Sequence, residues 1–153
     1  MSISLADLVD PKQITLNLRA RTQAEAMREI VDLLAAAGKI ESAERFLNKL
    51  QQRERTNSTY AGDGVAFPHA RTNLVDEIAL GIGQSATGIE WTGKGEVARL
   101  IFVVAVPEKL ISDYLVAVGA IARITKDRPL RTLLLHAESV EDFIATLLGT
   151  PSI

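Results

Sequence analysis

The stretch from residue 53 to residue 71 holds most of the side chains in this sequence that could do unusual chemistry. It contains His69, one of two histidines in the chain, directly after Pro68. Proline fixes its own φ angle and pushes the preceding residue towards an extended backbone, so His69 is expected at the end of a short strand, on a constrained turn. Neutral imidazole is a good nucleophile at pH 7, so a histidine held in this way could carry a phosphoryl group.

Basic and hydroxyl side chains in the same stretch fit that chemistry. The guanidinium fork of an arginine matches the oxygen atoms of a phosphate, and Arg53 is one of three arginines here. Ser58 and Thr59 can donate hydrogen bonds to the same oxygens. The residues alone leave a second interpretation open, because a Pro-His pair in a turn can be purely structural.

The spacing of these residues resembles the active-site signature of the IIA components of the bacterial phosphoenolpyruvate-dependent sugar phosphotransferase system, in its fructose, mannitol and nitrogen-regulatory branch. The signature is long and free of gaps, and the resemblance covers nearly the whole chain, from Leu5 to Leu148. The matching residues are Arg53, Glu54, Ser58, Thr59, Gly62, Gly64, Ala66, Pro68, His69 and Ala70.

This resemblance implies an activity and its partners. In the family, the histidine that matches His69 accepts a phosphoryl group from a small phosphocarrier protein of the HPr type, and the group then passes to a IIB domain. The arginine that matches Arg53 lies close to that histidine, which implies that it neutralises phosphate charge. Arg53 could instead be a solvated arginine at a helix end, where its charge favours the helix dipole. No cofactor is expected, and the sequence has no His/Cys cluster that could bind a metal such as zinc.

Three further residues have roles that the sequence leaves open. Thr59 could contact the phosphate or cap the backbone of its loop. Asp63 stands where mannitol-type relatives place an acidic residue, and it could orient His69, contact a partner or only form the turn. Tyr114 matches a second active-site histidine of many relatives. Tyrosine can hydrogen-bond phosphate but titrates near pH 10, so Tyr114 could equally be a core residue on an apolar helix stripe.

Composition restricts the class of protein. A chain of 153 residues with 47% apolar and 24% charged residues is expected to form one IIA-type phosphotransfer domain over residues 1–153. The net charge of -2 gives no general attraction to nucleic acid or to an anionic membrane. The absence of cysteine, of a signal peptide and of a long apolar run predicts a cytoplasmic protein without membrane insertion.

Helical and strand patterns are mixed along the chain. Alternation at Ile14, Leu16 and Leu18 predicts a strand, and the apolar run 100–106 predicts a central strand buried on both faces. A loop is expected over residues 70–76 and a turn over 88–95. Helices are predicted after the caps Ser4, Thr22, Ser42, Asp127 and Ser139, with one more after Pro107.

Smaller expectations accompany these elements. The helix after Ser42 should continue through Arg53, and Trp91 should be a half-buried packing residue. His136 is expected to cap a helix end. The predicted class is α/β, a single domain with helices on both faces of the sheet, and the resemblance implies a mixed sheet.

Two hypotheses about function follow. The first is a phosphohistidine carrier, in a regulatory, nitrogen-type branch because the chain is a lone domain, or for transfer to a IIB domain. The alternative is a non-catalytic regulatory module with the same fold that acts by protein contact, which Tyr114 favours and His69 and Arg53 oppose. A hydrolase that uses His69 as a general base lacks a paired carboxylate or a serine nucleophile signal.

Overall fold

The computed structural model describes residues 4–109 and 111–149, except for the side chains of residues 111–115 and 117. Within that part, six α-helices and six strands follow one another in a mixed order. The helices are α1 (Leu5–Leu8), α2 (Gln23–Ala36), α3 (Ala43–Thr56), α4 (Ile111–Lys126), α5 (Arg128–Leu135) and α6 (Val140–Leu148). The strands are β1 (Ile14–Thr15), β2 (Tyr60–Gly62), β3 (Val65–Ala66), β4 (His69–Thr72), β5 (Ala79–Glu90) and β6 (Val97–Pro107), and a 3₁₀ turn occupies Pro11–Gln13.

The strands form one mixed sheet, which confirms the predicted fold class. The order is β1-β5-β6-β3-β2, and β4 also pairs with β6, beyond the end of β3. The pairs β1–β5, β3–β6 and β4–β6 are parallel, whereas β5–β6 and β2–β3 are antiparallel. Strand β6 is therefore the central strand, and it aligns β3 and β4 one after the other along the same edge.

Helices cover both faces of this sheet because β6 is apolar on both sides. Ile101, Val103 and Ala105 face a buried cluster with residues of α2 and α3, while Phe102 and Val104 face a cluster with residues of α4, α5 and α6. These β6 residues are at most 1% exposed. The continuous apolar run thus forms a strand buried on both faces, as its lack of alternation predicted.

Helix α2 packs its side chains directly against glycines of strand β5. A Cβ atom at Gly81 would lie 2.6 Å from Cγ2 of Ile30, and one at Gly83 would lie 2.7 Å from Cδ1 of the same isoleucine. A larger residue at either position would force the Ile30 side chain to shift. The small residues that alternate with Ile82 and Leu80 therefore determine how closely this layer packs.

The predicted helix caps are present. Thr22 accepts from the Glu25 N–H at the start of α2, and Ser42 accepts from the Arg45 N–H at the start of α3. Helix α3 continues to Thr56, as expected from its apolar face. His136 is the C-cap residue of α5, with its ring Nδ1 2.8 Å from the Thr132 carbonyl.

Four local expectations were wrong. Residues 70–72, the first part of the loop predicted over residues 70–76, instead belong to strand β4, because their backbone pairs with β6 at residues 105–107. Strand β1 ends at Thr15, before the alternating leucines at 16 and 18. Strand β5 continues through Gly88 to Glu90, so the turn is shorter than predicted. Trp91 is 4% exposed and belongs to the buried cluster of α2 and α3, so it is fully buried and not half-buried.

Candidate functional site

His69 is the first residue of β4, directly after the proline that separates this strand from β3. The Pro68 carbonyl accepts a hydrogen bond of 2.9 Å from the Val104 N–H, so the backbone before the histidine is already bound to the central strand. His69 is in register with Val104 and Arg71 with Val106, which places both polar residues on one face of the strand. The half-buried imidazole is therefore carried by a backbone fixed on both sides of its Cα.

The orientation of the imidazole is set by the residue two positions earlier. Nδ1 of His69 lies 2.8 Å from the Phe67 carbonyl oxygen. The Phe67 ring stacks on Phe102 with centroids 5.4 Å apart and an interplanar angle of 18°. Stacked aromatic pairs of this kind are worth roughly 0.5–1.5 kcal/mol beyond their buried area. The packed ring therefore fixes the carbonyl that holds the histidine.

The surroundings of His69 favour its neutral form. Burial lowers the pKa of His69 below its usual value, and the positive charge of Arg53 lowers it further. The hydrogen bond to Phe67 and the negative charge of Glu54 act in the opposite direction, but burial is the largest influence. A neutral ring at pH 7 keeps the nitrogen lone pair that a nucleophile needs.

Arg53 lies in the last turn of α3 and contributes to the same pocket as His69. Its Nη1 donates a hydrogen bond of 2.7 Å to the carbonyl oxygen of Asn57, and Asn57 is the C-cap residue of the helix. A guanidinium group has five N–H donors, so this contact orients the fork and leaves other donors for a ligand. Arg53 is half-buried, whereas Arg55 two residues later is exposed.

A pocket of about 510 Å³ lies between the end of α3 and the strand β4. Its described lining combines basic, polar and apolar side chains. The lining residues are Lys49, Gln52, Arg53, Thr56, His69, Ala70, Arg71 and Val106. The structure thus brings together His69 and Arg53, the two residues that the sequence placed at the centre of the site.

Thr59 contacts the side chain of Glu54 in this structure. Its N–H donates a hydrogen bond of 2.7 Å to Glu54, and its hydroxyl group donates to the other oxygen of the same carboxylate. Glu54 is 7% exposed. Thr59 therefore provides two hydrogen bonds to a buried charge, which a carboxylate requires when it is taken out of water. Neither role expected from the sequence is tested by these contacts, and contact of Thr59 with phosphate stays a prediction.

Ser58 and Asp63 also serve local structure. The Ser58 hydroxyl accepts a hydrogen bond of 3.2 Å from the Tyr60 N–H. Asp63 has a φ of 53° between two glycines that also have positive φ, so it forms the tight turn between β2 and β3. Its carboxylate lies 3.8 Å from the Arg131 guanidinium on α5. The described lining of the pocket does not include either residue.

Tyr114 lies in α4, but its side chain is outside the part of the chain that the structure describes. Its proposed place beside His69 therefore stays a prediction.

Sequence reasoning missed Lys49, Gln52 and Thr56 and gave little weight to Arg71. Together with Arg53, the three missed residues have the i, i+3, i+4 and i+7 spacing of one helical face, so their common direction was visible in the sequence. What was not visible is that this polar face of α3 meets β4, because the region after His69 was predicted to be a loop. The pocket residues of α3 were therefore missed because strand β4, which they face, was not predicted.

Neither a metal centre nor a membrane span occurs in the described part of the chain. Among residues 4–109 and 111–149, His, Asp and Glu side chains do not gather in groups of three that could hold a metal ion. In the same part of the chain, every helix is too short or too polar to cross a bilayer.

Comparison with known proteins identifies the family. The family model described as "Phosphoenolpyruvate-dependent sugar phosphotransferase system, EIIA 2" matches residues 7–149. The chain belongs to this family and is a phosphotransferase-system component of the IIA type. The family that the signature around His69 resembles is thereby confirmed.

Individual relatives agree with this assignment. The chain is 31% identical over 136 residues to the "PTS system fructose-specific EIIA component" of Haloferax volcanii, which covers 86% of this chain and 88% of that protein. It is 29% identical over 148 residues to the "PTS system fructose-specific EIIABC component" of Bacillus subtilis, covering 96% of this chain. It spans only 23% of that longer relative.

The fold is also found among solved structures. The nitrogen regulatory protein IIA-Ntr from Neisseria meningitidis superimposes with a TM-score of 0.86 at 24% sequence identity, over 94% of this chain and 98% of that chain. At this identity the likeness establishes the fold alone. It agrees with a mixed sheet covered by helices.

Proposed function

We propose that residues 1–153 act as one phosphotransfer domain, in which His69 accepts a phosphoryl group from an HPr-type phosphocarrier protein. The observation that carries this proposal is the 2.8 Å contact between Nδ1 of His69 and the Phe67 carbonyl. A carbonyl oxygen can only accept, so the imidazole hydrogen of the neutral ring lies on Nδ1. The nucleophilic lone pair then lies on Nε2, and this nitrogen is the proposed site of phosphorylation.

The transfer step needs few groups. Nε2 attacks the phosphorus atom of the donor's phosphohistidine, a new P–N bond forms, and the P–N bond to the donor breaks, which returns the electron pair to the donor's imidazole. The phosphoryl oxygens keep their negative charge throughout. Catalysis of such a step depends on position and on positive charge around those oxygens.

Arg53 supplies that charge in the proposed mechanism. Its guanidinium lines the pocket with His69 and is oriented by its hydrogen bond to Asn57. Guanidinium groups bind the oxygens of a phosphoryl group in a fixed geometry, and donors of this kind are typically worth 10²–10³ in rate. The same positive charge helps to keep His69 neutral until the phosphoryl group arrives.

The acceptor of the phosphoryl group is proposed to be a IIB domain or a regulated protein. The fructose-specific EIIA and EIIABC names of the relatives support the first, and the fold of the nitrogen-regulatory protein is compatible with the second. A cytoplasmic location is part of this proposal. A module that binds proteins without turnover is the alternative, and a phosphorylation experiment separates the two.

That experiment uses phosphoenolpyruvate, the general first enzyme of the system and an HPr-type carrier. We expect the intact mass of the protein to rise by one phosphoryl group, with the adduct labile in acid and stable in base. His69→Gln should abolish the adduct, whereas His136→Gln should retain it. An unmodified wild-type protein, or a label on His136 or on a hydroxyl group, would contradict the proposal.

A further inference from the structure

The pocket beside His69 is larger than a phosphoryl group on the imidazole requires. Its volume of about 510 Å³ falls in the range of about 300–1,000 Å³ that is usual for pockets of small organic ligands. The walls are also of mixed character. Val106 and Ala70 contribute apolar surface next to the charged and polar groups of α3. Such a combination is typical of a site for a molecule with an organic body.

The charges in this pocket exceed those that the proposed transfer uses. Besides Arg53, both Lys49 and Arg71 line it. Lys49 lies one helical turn before Arg53, and Arg71 follows His69 on the same face of β4. The described lining residues include no carboxylate that would neutralise these cations. The carboxylate of Glu54 is occupied by the two hydrogen bonds from Thr59.

Uncharged polar groups lie beside the cations. Gln52 is exposed and its amide can both donate and accept. The Thr56 hydroxyl donates to the Gln52 carbonyl at 3.1 Å and keeps its acceptor capacity for a ligand hydroxyl. Cations suit a phosphate dianion, and these groups suit a hydroxylated carbon skeleton.

We infer that this pocket binds a small organic phosphate, of the sugar monophosphate class, in competition with phosphoryl transfer to His69. The phosphate group of the ester contacts the positively charged side chains of Lys49, Arg53 and Arg71. Its hydroxylated body faces Gln52 and Thr56. A bound ester excludes the incoming phosphoryl group, because both need the Arg53 guanidinium. The site would then report the concentration of a phosphorylated metabolite by slowing phosphorylation of the protein. The inhibitory part of this inference rests on the proposed function, whereas the binding part does not.

Binding is tested first on the unphosphorylated protein, without donor proteins. Glucose 6-phosphate, inorganic phosphate and glucose are titrated while amide chemical shifts of β4 and the end of α3 are followed by NMR. We expect glucose 6-phosphate to bind, inorganic phosphate to bind about tenfold or more weakly, and glucose not to bind. Inorganic phosphate lacks the hydroxylated body and glucose lacks the charged group, so each loses one set of contacts; a factor of ten in affinity corresponds to about 1.4 kcal/mol.

Variants test whether the ester binds in this pocket or is attracted to positive charge anywhere on the protein. The double variant Lys49→Gln/Arg71→Gln should weaken glucose 6-phosphate binding about tenfold or more, while the charge-retaining Lys49→Arg should bind nearly as wild type. Lys94→Gln removes an exposed lysine in the turn after β5 and should leave the affinity unchanged. Equal affinity for phosphate and ester, unchanged affinity in the double variant, or no binding of the ester would each overturn the inference.

The competition is tested second, in the transfer reaction with the HPr-type carrier. Saturating glucose 6-phosphate should slow phosphorylation of the wild type several-fold and should have little effect on the double variant, measured relative to its own uninhibited rate. If the ester binds and the rate does not change, competition is wrong. If His69 is never phosphorylated, even without the ester, the proposed function fails and the binding result still stands by itself.

Discussion

The carboxylate of Glu54 accepts two hydrogen bonds from Thr59, one from the backbone N–H at 2.7 Å and one from the hydroxyl group. The contacts continue towards the site, because the Phe67 N–H donates to the Thr59 carbonyl at 3.1 Å and the Phe67 carbonyl accepts from His69 at 2.8 Å. Glu54, near the end of α3, is thereby connected to the imidazole of His69 through two residues, Thr59 and Phe67. We expect Glu54 to act as a positioning residue in this arrangement.

Substitution of Glu54 should affect both stability and titration. Glu54→Gln replaces one acceptor oxygen with an NH₂ group that opposes a donor of Thr59, so we expect a loss of about 1–3 kcal/mol in the free energy of unfolding. The negative charge of Glu54 raises the pKa of His69, so its removal should lower the midpoint of the imidazole titration. Urea unfolding and histidine NMR titration measure the two effects. An unchanged titration midpoint in Glu54→Gln would contradict the electrostatic influence of Glu54 on His69.

Arg53→Ala should slow phosphorylation by roughly one to three orders of magnitude while the fold is retained, since a preorganised donor to a developing or transferring charge is typically worth this much. The free energy of unfolding should change by about 0.5 kcal/mol, the usual scale for a residue outside the core. Arg55→Ala provides the matched control, because this exposed arginine lies on the same helical turn and is not among the described lining residues. Equal rates for the two variants would remove Arg53 from the mechanism and make Arg71 the next residue to test.

The rate of phosphorylation should depend on pH through His69. Burial lowers the pKa of His69 below the ordinary value of about 6.5, so the neutral, nucleophilic form should dominate at pH 7. The rate should therefore fall only when the pH drops below about 6.5. Arg53→Ala should move this midpoint upward, since Arg53 lowers the pKa. A rate that falls off already above pH 7 in the wild type, measured with a donor whose own titration is known, would contradict the neutral assignment.

The same shift has a consequence for stability. The folded pKa of His69 lies below the unfolded one, so the unfolded state binds a proton more readily. The free energy of unfolding should therefore decrease as the pH falls from the unfolded pKa to the folded one. His69→Gln should lose this part of the pH dependence, which a series of denaturant titrations can measure.

The role of Tyr114 is open between two alternatives, a place in the active site and a place in the apolar core. Helix α4 begins four residues after the end of β6, whose last residues pair with β4, so the helix start belongs to the end of the sheet that carries His69. If Tyr114 takes the place of the second histidine, Tyr114→Phe should change the transfer rate with little loss of stability, and Tyr114→His should preserve or raise transfer. An altered stability with an unchanged rate would assign it to the core.

Asp63→Asn should leave phosphorylation unchanged. Asparagine tolerates the positive φ of this turn, and the ion pair with Arg131 involves a carboxylate that is 63% exposed, so its loss should cost within about 0.5 kcal/mol. A clear loss of transfer to one acceptor, measured with the donor reaction intact, would instead assign Asp63 to a contact with that partner.

The sequence by itself predicted the helices and the central strand β6, and it singled out His69 and Arg53 as candidate site residues. Sequence signals are strong where the determining interactions involve residues that are close together in the chain. The helix caps at Thr22 and Ser42 and the apolar run of β6 are examples. The signature around His69 also gave the family, because a long pattern of fixed spacing is specific. The pairing of His69 with Arg53 in one pocket followed the expectation from that family.

Only the tertiary structure decided that residues directly after His69, which were predicted to be a loop, form a strand. Strand β4 has no strong strand pattern and exists because β6 offers hydrogen-bonding groups beyond the end of β3. This pairing presents Arg71 next to His69 and opposite the polar face of α3 that carries Lys49. Such contacts depend on which surfaces meet in space, and the local sequence does not encode this.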